Sequence, residues 1–326
     1  MQNHMRKILF SVLAAAFFLV PWICPAVRNY AAGAAVITGI IFAITLGNPF
    51  ARQTGKLSSW LLGAAIVLMG CGMNLEKVLA AGAQGFIYTL IGIAMGLGLG
   101  SYLGKVLGID KNCSWLVSVG TSICGGSAIA AAAPALRAKS ADIALASATV
   151  FTLNAAALLI FPWIGKTLGF SQEQFGYFAA LAIHDTSSVV GATLQYGETA
   201  LAVGTTVKLA RALWIVPVTL FIASFVAGKE PGEKRQFKLK LPWFIPGFLI
   251  AAAIVTYIPG TAAAGGFLKE ISKYLMVFTL FMIGANLSRE KLRELGLRPL
   301  IHGVILWLVL SVVWCLAIYF QWVNVR

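Results

Sequence analysis

From residue 8 to residue 320 the chain is a string of apolar runs, most of them near 20 residues long, with most of its charge in the short gaps between them. About 20 apolar residues is the length an α-helix needs to cross the hydrocarbon core of a bilayer. The runs fall near 8–24, 31–48, 57–74, 85–107, 112–136, 141–165, 174–196, 198–228, 241–259, 271–288 and 299–320, eleven in all. They are continuous, without the alternation at every second residue that marks the strands of a membrane barrel. Charged residues are 11% of the chain and hydrophobic ones 59%, against about 25% and about 45–50% in soluble domains. So few charges do not clothe a globule of this size in water. The expected class is an all-α integral membrane protein.

The formal net charge of +14 does not indicate nucleic acid, because the Lys and Arg are dealt out among the hydrophobic runs, with one modest cluster at Lys229–Lys240. Loop charge of this kind sets topology. With eleven spans, Arg6, Lys7, Arg52, Lys56, Lys105, Lys111, Lys166, the 229–240 cluster, Arg289, Lys291, Arg293 and Arg298 fall on the amino-terminal side. Arg28, Lys77, Arg137, Lys139, Lys269, Lys273 and Arg326 fall opposite, a bias of sixteen to seven. The expected location is a bacterial inner membrane, multi-pass, with the N-terminus cytoplasmic and the C-terminus periplasmic. The start "MRKILFSVLAAAFFLVPWIC" also fits a signal peptide, but no clean A-x-A cleavage site stands out after it, and a retained first helix is the reading adopted. Cys24, Cys71, Cys113, Cys124 and Cys315 are scattered through apolar segments without a C-x-x-C pair, so neither a metal set nor a cofactor is expected.

Two basic residues belong to no loop. Lys208 and Arg211 lie inside "TALAVGTTVKLARALWIVPVTLF", three residues apart and hence on one helix face. A histidine and an aspartate, His184–Asp185, interrupt another span and are followed by Thr186, Ser187 and Ser188. An ionisable group inside a membrane is costly and usually functional. The two cations would help keep Asp185 ionised, and with neutral His184 the set carries a net positive charge that suits an anion. His184 titrates near physiological pH and is a candidate coupling group with Asp185.

A third unusual stretch is "GTSICGGSAIAAAAPAL", residues 120–136. Three glycines, two serines and a threonine within eight residues make a poor continuous helix. Unwound backbone survives in a membrane only inside protein or beside a wet cavity. The half-helix after a break offers free N–H groups and a positive dipole end to an anion. Thr121, Ser122, Gly125, Gly126 and Ser127, with Lys208 and Arg211, form the candidate substrate site. The competing structural reading of this stretch is a small-residue seam for close helix packing. Asn154, in "TVFTLNAAALL", is a candidate inter-helix hydrogen bond, and Ser187 and Asn286 are further polar contacts. Finally, "LMGCGMNLEKV" (68–78) and "LFMIGANLSREKL" (280–292) echo one another through a Gly-x-Asn-Leu core at the ends of two spans of opposite direction. Inverted repeats of this kind are the usual build of secondary transporters.

The three blocks "GTSICGGSAIAAAAP", "AIHDTSSVVGA" and "TTVKLARALWIVPV", in this order, resemble the bacterial YeiH-type sulfate exporter family, and the likeness covers nearly the whole chain. That family is similar to the sodium/bile-acid symporter and cation/proton antiporter superfamily. The resemblance implies inverted five-helix repeats with a pair of broken, crossing helices, one breaking at Gly120–Ser127 and the other near Gly284–Asn286. It implies an extra helix over residues 1–30, a first repeat over 31–168 and a second over 169–326. It also implies a small anion as cargo, sulfate or a related oxyanion or organic anion, coupled to protons or sodium. The chain departs from the family pattern at Ser188, where a longer polar residue is expected.

Two other functions compete. An intramembrane hydrolase would use Ser122 or Ser127 as nucleophile with His184 as base, but "GTSIC" lacks the second glycine of a G-x-S-x-G elbow. Adjacent His and Asp on a helix also point about 100° apart, which is awkward for the aspartate to orient its neighbour. A passive channel should show a continuous polar file, whereas the polar groups here gather at one depth. No G-x-x-x-x-G-K-[ST] is present for nucleotide-driven pumping. The expectation is a transporter and not an enzyme.

Overall fold

The computed structural model describes residues 2–23, 28–226, 242–286 and 296–323. The Lys229–Lys240 cluster, Arg289, Lys291, Arg293 and Cys24 lie outside them. The described residues contain no strand and fourteen α-helices. These are α1 (Gln2–Ile23), α2 (Arg28–Thr45), α3 (Ala51–Gly70), α4 (Leu75–Val106), α5 (Lys111–Ser122), α6 (Gly126–Leu136) and α7 (Ser140–Thr167). They continue as α8 (Gln172–Ala182), α9 (Thr186–Tyr196), α10 (Glu198–Ala212), α11 (Ile215–Phe221), α12 (Phe244–Tyr257), α13 (Ala262–Ala285) and α14 (Leu297–Tyr319).

Five helical stretches among the described residues are both long and apolar enough to cross a membrane: His4–Ile23, Leu75–Val106, Ser140–Thr167, Glu198–Phe225 and Leu297–Tyr319. Helix lies over each of the eleven apolar runs, but the runs 112–136 and 174–196 are each two short helices, and the run 198–228 is α10 and α11 joined by a tight turn at Leu213–Trp214. Large apolar side chains stand exposed along the long helices, among them Ile87, Trp163, Phe225 and Val312. In water such surfaces would drive aggregation; against lipid tails they are the ordinary exterior.

The chain divides into two compact units, each discontinuous in sequence. One comprises Met1–Ala80, Val190–Ala202 and Pro242–Arg293. In it α13 packs against α1, α2 and α3, and α12 against α3. α2 and α13 approach closely: a Cβ on Gly284 would stand 2.5 Å from the Val36 carbonyl and one on Gly39 would overlap the Phe281 carbonyl. The rings of Phe42, Phe50 and Phe281 surround Phe10 of α1 at 5.3–5.5 Å.

The second unit comprises Ala81–Val189, Val203–Leu241 and Glu294–Arg326. Here α4 and α5 form a tight hairpin. Gly108 supplies the left-handed residue (φ +60°) that ends α4, with the Ile109 N–H returning to the Gly104 carbonyl at 2.9 Å. Asp110 then caps α5, its carboxylate accepting the Asn112 N–H at 2.9 Å. The hairpin brings three glycines of α4 onto three serines of α5 at matching four-residue spacing. A Cβ on Gly96, Gly100 or Gly104 would overlap the hydroxyl of Ser122, Ser118 or Ser114 respectively. Small residues at this spacing let two helix backbones approach closely where lipid offers no hydrophobic drive for association. His302 of α14 joins the seam through Nε2, 3.0 Å from the Gly100 carbonyl.

The helix break expected near Gly284–Asn286 falls at the edge of the described residues: α13 runs uninterrupted from Ala262 to Ala285 with Asn286 as its C-cap, and residues 287–295 lie outside them. Gly284 serves close packing against α2, which a continuous helix satisfies. The second interruption among these segments falls at Ile183–Asp185, within the run read as one span.

Candidate functional site

Both interruptions lie in the second unit, and each leaves carbonyls with no helical partner. At the first, Gly125 takes a conformation open to glycine (φ +67°, ψ −129°) and the chain turns between Ser122 and Gly126. This frees the carbonyls of Thr121, Ser122 and Ile123. At the second, Ile183 is extended (ψ 140°), freeing carbonyls at the end of α8. An unpaired carbonyl buried away from water is expensive, so these oxygens require donors.

Lys208 and Arg211 provide them. Arg211, 3% exposed, donates from Nε to the Ser122 carbonyl at 2.9 Å and from Nη2 to that of Thr121 at 2.9 Å. Its Nη1 donates to the carbonyls of Ala180 and Leu181 at 2.8 and 2.7 Å. Lys208, with no exposed surface, donates from Nζ to Ile123 at 3.1 Å and to Ile183 at 2.6 Å. Two cations on one face of α10 thus close the C-terminal ends of α5 and α8 together. Positive charge at a helix C-terminus is favourable, and charge-assisted hydrogen bonds are about twice as strong as neutral ones.

The amide side of the second break is also paired. The Asn154 Oδ1 on α7 accepts the N–H groups of His184 and Asp185 at 3.2 and 3.1 Å. The Asp185 carboxylate in turn accepts the Ser187 N–H at 3.0 Å and the Ser187 hydroxyl, capping α9. The N-terminus of α6 differs, since its N-cap is Gly125 and no side chain caps it. Gly125 lies against Asp185, whose Cβ is 3.3 Å from where a glycine Cβ would be. The carboxylate side chain therefore borders the start of both second-half helices.

Of the residues singled out from the sequence, Thr121, Gly125, Asn154, His184, Asp185, Ser187, Lys208 and Arg211 meet at these two breaks. Ser122 contributes its carbonyl, while its hydroxyl sits on the α4 seam. Gly126 packs under the Phe151 ring, and Ser127 is exposed. Asn286 belongs to the other unit, where its Oδ1 accepts from the Thr54 hydroxyl at 2.8 Å and the Asn48 amide at 3.1 Å.

Several buried polar atoms of the second unit make no hydrogen bond among the described residues: the hydroxyls of Thr121, Thr149, Thr205 and Thr206, the Asn154 amide nitrogen and both ring nitrogens of His184. The Val150 backbone lies beside the His184 ring without reaching hydrogen-bond geometry. Native interiors leave few such atoms unpaired. Thr205 had not been singled out from the sequence; its place one helical turn before Lys208 was the available signal. The second break was also missed, although Asp185 before "TSS" has the form of an N-cap.

Chemically, the arrangement gathers two basic side chains, Lys208 and Arg211, and one carboxylate, Asp185, around the two breaks. The guanidinium is committed: four of its N–H groups serve carbonyls, so it presents no free fork to a ligand.

These features define a polytopic, all-helical membrane protein organised around two interrupted helices. The chain belongs to the family described as conserved hypothetical protein 698, which it matches over residues 7–303, in keeping with the YeiH-type resemblance. It is 49% identical to a UPF0324 membrane protein of Bdellovibrio bacteriovorus, over 99% of this chain and 97% of that one. It is 46% identical to a UPF0324 membrane protein of Geobacter sulfurreducens, over 98% of each chain. A UPF0324 membrane protein of Bacteroides thetaiotaomicron is 43% identical over 98% of this chain and 97% of its own. No solved structure matches the chain.

Proposed function

We propose that the protein is a secondary active transporter of a small anion, sulfate or a related oxyanion or organic anion, coupled to protons or sodium. In this reading it lies in the bacterial inner membrane with its N-terminus in the cytoplasm and works by alternating access. The observation that carries the reading is the double cap: two buried cations hold two helices open at one place in the protein interior. Holding backbone open inside a membrane protein is costly and is characteristic of transport sites.

The anion is assigned to the uncapped N-terminus of α6, with the hydroxyls of Thr121 and Thr205 as further donors. Lys208 and Arg211 act through their charge and by shaping the site. His184 and Asp185 are the candidate coupling groups. We further propose inverted repeats related to the sodium/bile-acid symporter and cation/proton antiporter superfamily, with a first repeat over 31–168 and a second over 169–326. The echo segments follow the C-terminal ends of α3 and α13 in the same unit, but this division pairs the fifth apolar run with the tenth, so the echo does not fix it.

The hydrolase reading draws no support from the geometry: among the described residues neither the Ser122 hydroxyl nor the His184 ring has a hydrogen-bond partner, and Ser127 is exposed. A passive channel is separated from a transporter by counterflow. Purified protein in proteoliposomes loaded with unlabelled sulfate should accumulate labelled sulfate transiently. Thr205→Val should reduce that uptake at least roughly tenfold, the loss of one buried hydrogen bond to an anion. Absence of saturable counterflow for every small anion tried, at any pH or sodium concentration, would sink the transport reading. Arg211→Ala is a poor probe, because it orphans four carbonyls and tests folding first.

A further inference from the structure

Away from the breaks, the foot of the α4–α5 hairpin holds a second feature with a ligand chemistry of its own. A cavity of about 410 Å³ opens there, lined by Ser101, Lys105, Lys111, Ser114, Trp115 and Phe225 among others. We propose that it is a seat for the headgroup of an anionic phospholipid.

Three cations mark this end of the unit. Lys105 and Lys111 line the cavity, and Arg298 is close to the hairpin turn, its Nη1 3.7 Å from where a Cβ on Gly108 would be. Lys105 has no carboxylate partner among the described residues. Asp110 in the turn accepts the Asn112 N–H and is one acid against three cations. The charged rim adjoins apolar surface: Tyr102 and Val106 of α4 are each 64% exposed, and Phe225 is 78% exposed. An inorganic anion would use the lysines and leave that apolar wall without a partner. A phospholipid uses both, placing its phosphate by the lysines and its chains along Tyr102, Val106 and Phe225, with Trp115 at the boundary between them. The distribution of basic residues puts Lys105, Lys111 and Arg298 on the cytoplasmic side, where anionic lipid attracts juxtamembrane cations. Ser114, the last rung of the glycine–serine seam, also lines the cavity, so a bound lipid would brace the hairpin that carries the first half of the first broken helix.

The test compares whole protein in nanodiscs of phosphatidylcholine with and without phosphatidylglycerol, reading thermal unfolding and the phosphatidylglycerol retained in native mass spectrometry. Wild type should retain phosphatidylglycerol and unfold at a higher temperature with it. Lys105→Gln/Lys111→Gln should bind it roughly twenty-five-fold more weakly, about fivefold per cation. Lys105→Arg/Lys111→Arg should keep most of the effect. Should the glutamine pair fail to fold, Ser101→Glu, which adds a repelling charge beside intact lysines, should show the same loss. Equal behaviour in the two lipids, or phosphatidylglycerol retention unchanged in the glutamine pair or in Ser101→Glu, overturns the proposal. Inorganic phosphate raising the melting temperature as much as the lipid also overturns it, identifying a free-anion site.

Discussion

The Lys208 ammonium donates to the Ile183 carbonyl at 2.6 Å, tying the middle of α10 to the extended residue between α8 and α9. The same nitrogen donates to Ile123 at 3.1 Å, at the end of α5. A single lysine thus closes two helix ends that lie sixty residues apart in the sequence. Lys208→Met keeps the length of the side chain and removes both donors. With charge-assisted bonds each contributing about 1.5–3 kcal/mol, the expected loss is on the order of 3 kcal/mol. It should appear as a melting temperature several degrees lower in detergent. An unchanged melting temperature would mean that the carbonyls have other donors.

Asn154 is the amide counterpart of this cap. Replacing it by leucine deprives the His184 and Asp185 N–H groups of their acceptor. The expected cost is about 1–3 kcal/mol for leaving buried donors unpaired. Hydrogen–deuterium exchange localises it: a peptide covering 181–190 should exchange faster in the variant, while α14 should not change. Uniformly faster exchange would instead indicate global destabilisation.

The α4–α5 seam predicts non-additive mutants. Gly96→Ala places a Cβ onto the Ser122 hydroxyl and should cost about 1–3 kcal/mol through overpacking. Ser122→Ala should be close to neutral, since that hydroxyl makes no hydrogen bond among the described residues. Combined, the two should recover most of the loss, because the remaining contact of 3.1 Å to the Ser122 Cβ asks for only a small shift. Additive losses would place the serine elsewhere. Ser122→Ala should also leave anion transport intact, whereas a hydrolase with Ser122 as nucleophile would lose its activity.

Glu198 begins α10 and pairs with Lys269, at 3.1 Å, and with Lys273. Its side chain is 63% exposed, so solvent screens both pairs. Glu198→Gln should change stability by no more than about 1 kcal/mol, and less at high salt. A large, salt-independent loss on thermal unfolding would show that the cluster is shielded from solvent.

The class of the protein and the irregularity of residues 120–127, 184–185 and 208–211 were legible without coordinates. Each is a local departure from an apolar helix: glycines where a helix loses stability, and charges where hydrocarbon penalises them. The seam was half legible, since the α5 stretch had a small-residue reading, but its partners Gly96, Gly100 and Gly104 read as ordinary span glycines. Gly284, read from sequence as part of a break, packs closely on the Val36 carbonyl of α2. A glycine in a span marks either unwinding or close packing, and only its neighbours decide between them.

The sequence by itself determined that the chain lies in a membrane, that it is helical and that its few intramembrane charges are special, because hydropathy and charge are properties of residues wherever they sit. Tertiary structure decided what those charges touch. Arg211 reads from sequence as part of the substrate site, yet in the fold its guanidinium is filled by the carbonyls of Thr121, Ser122, Ala180 and Leu181. Backbone carbonyls are the same in every residue and leave no mark on a sequence until folding frees them and sets a donor within 3 Å.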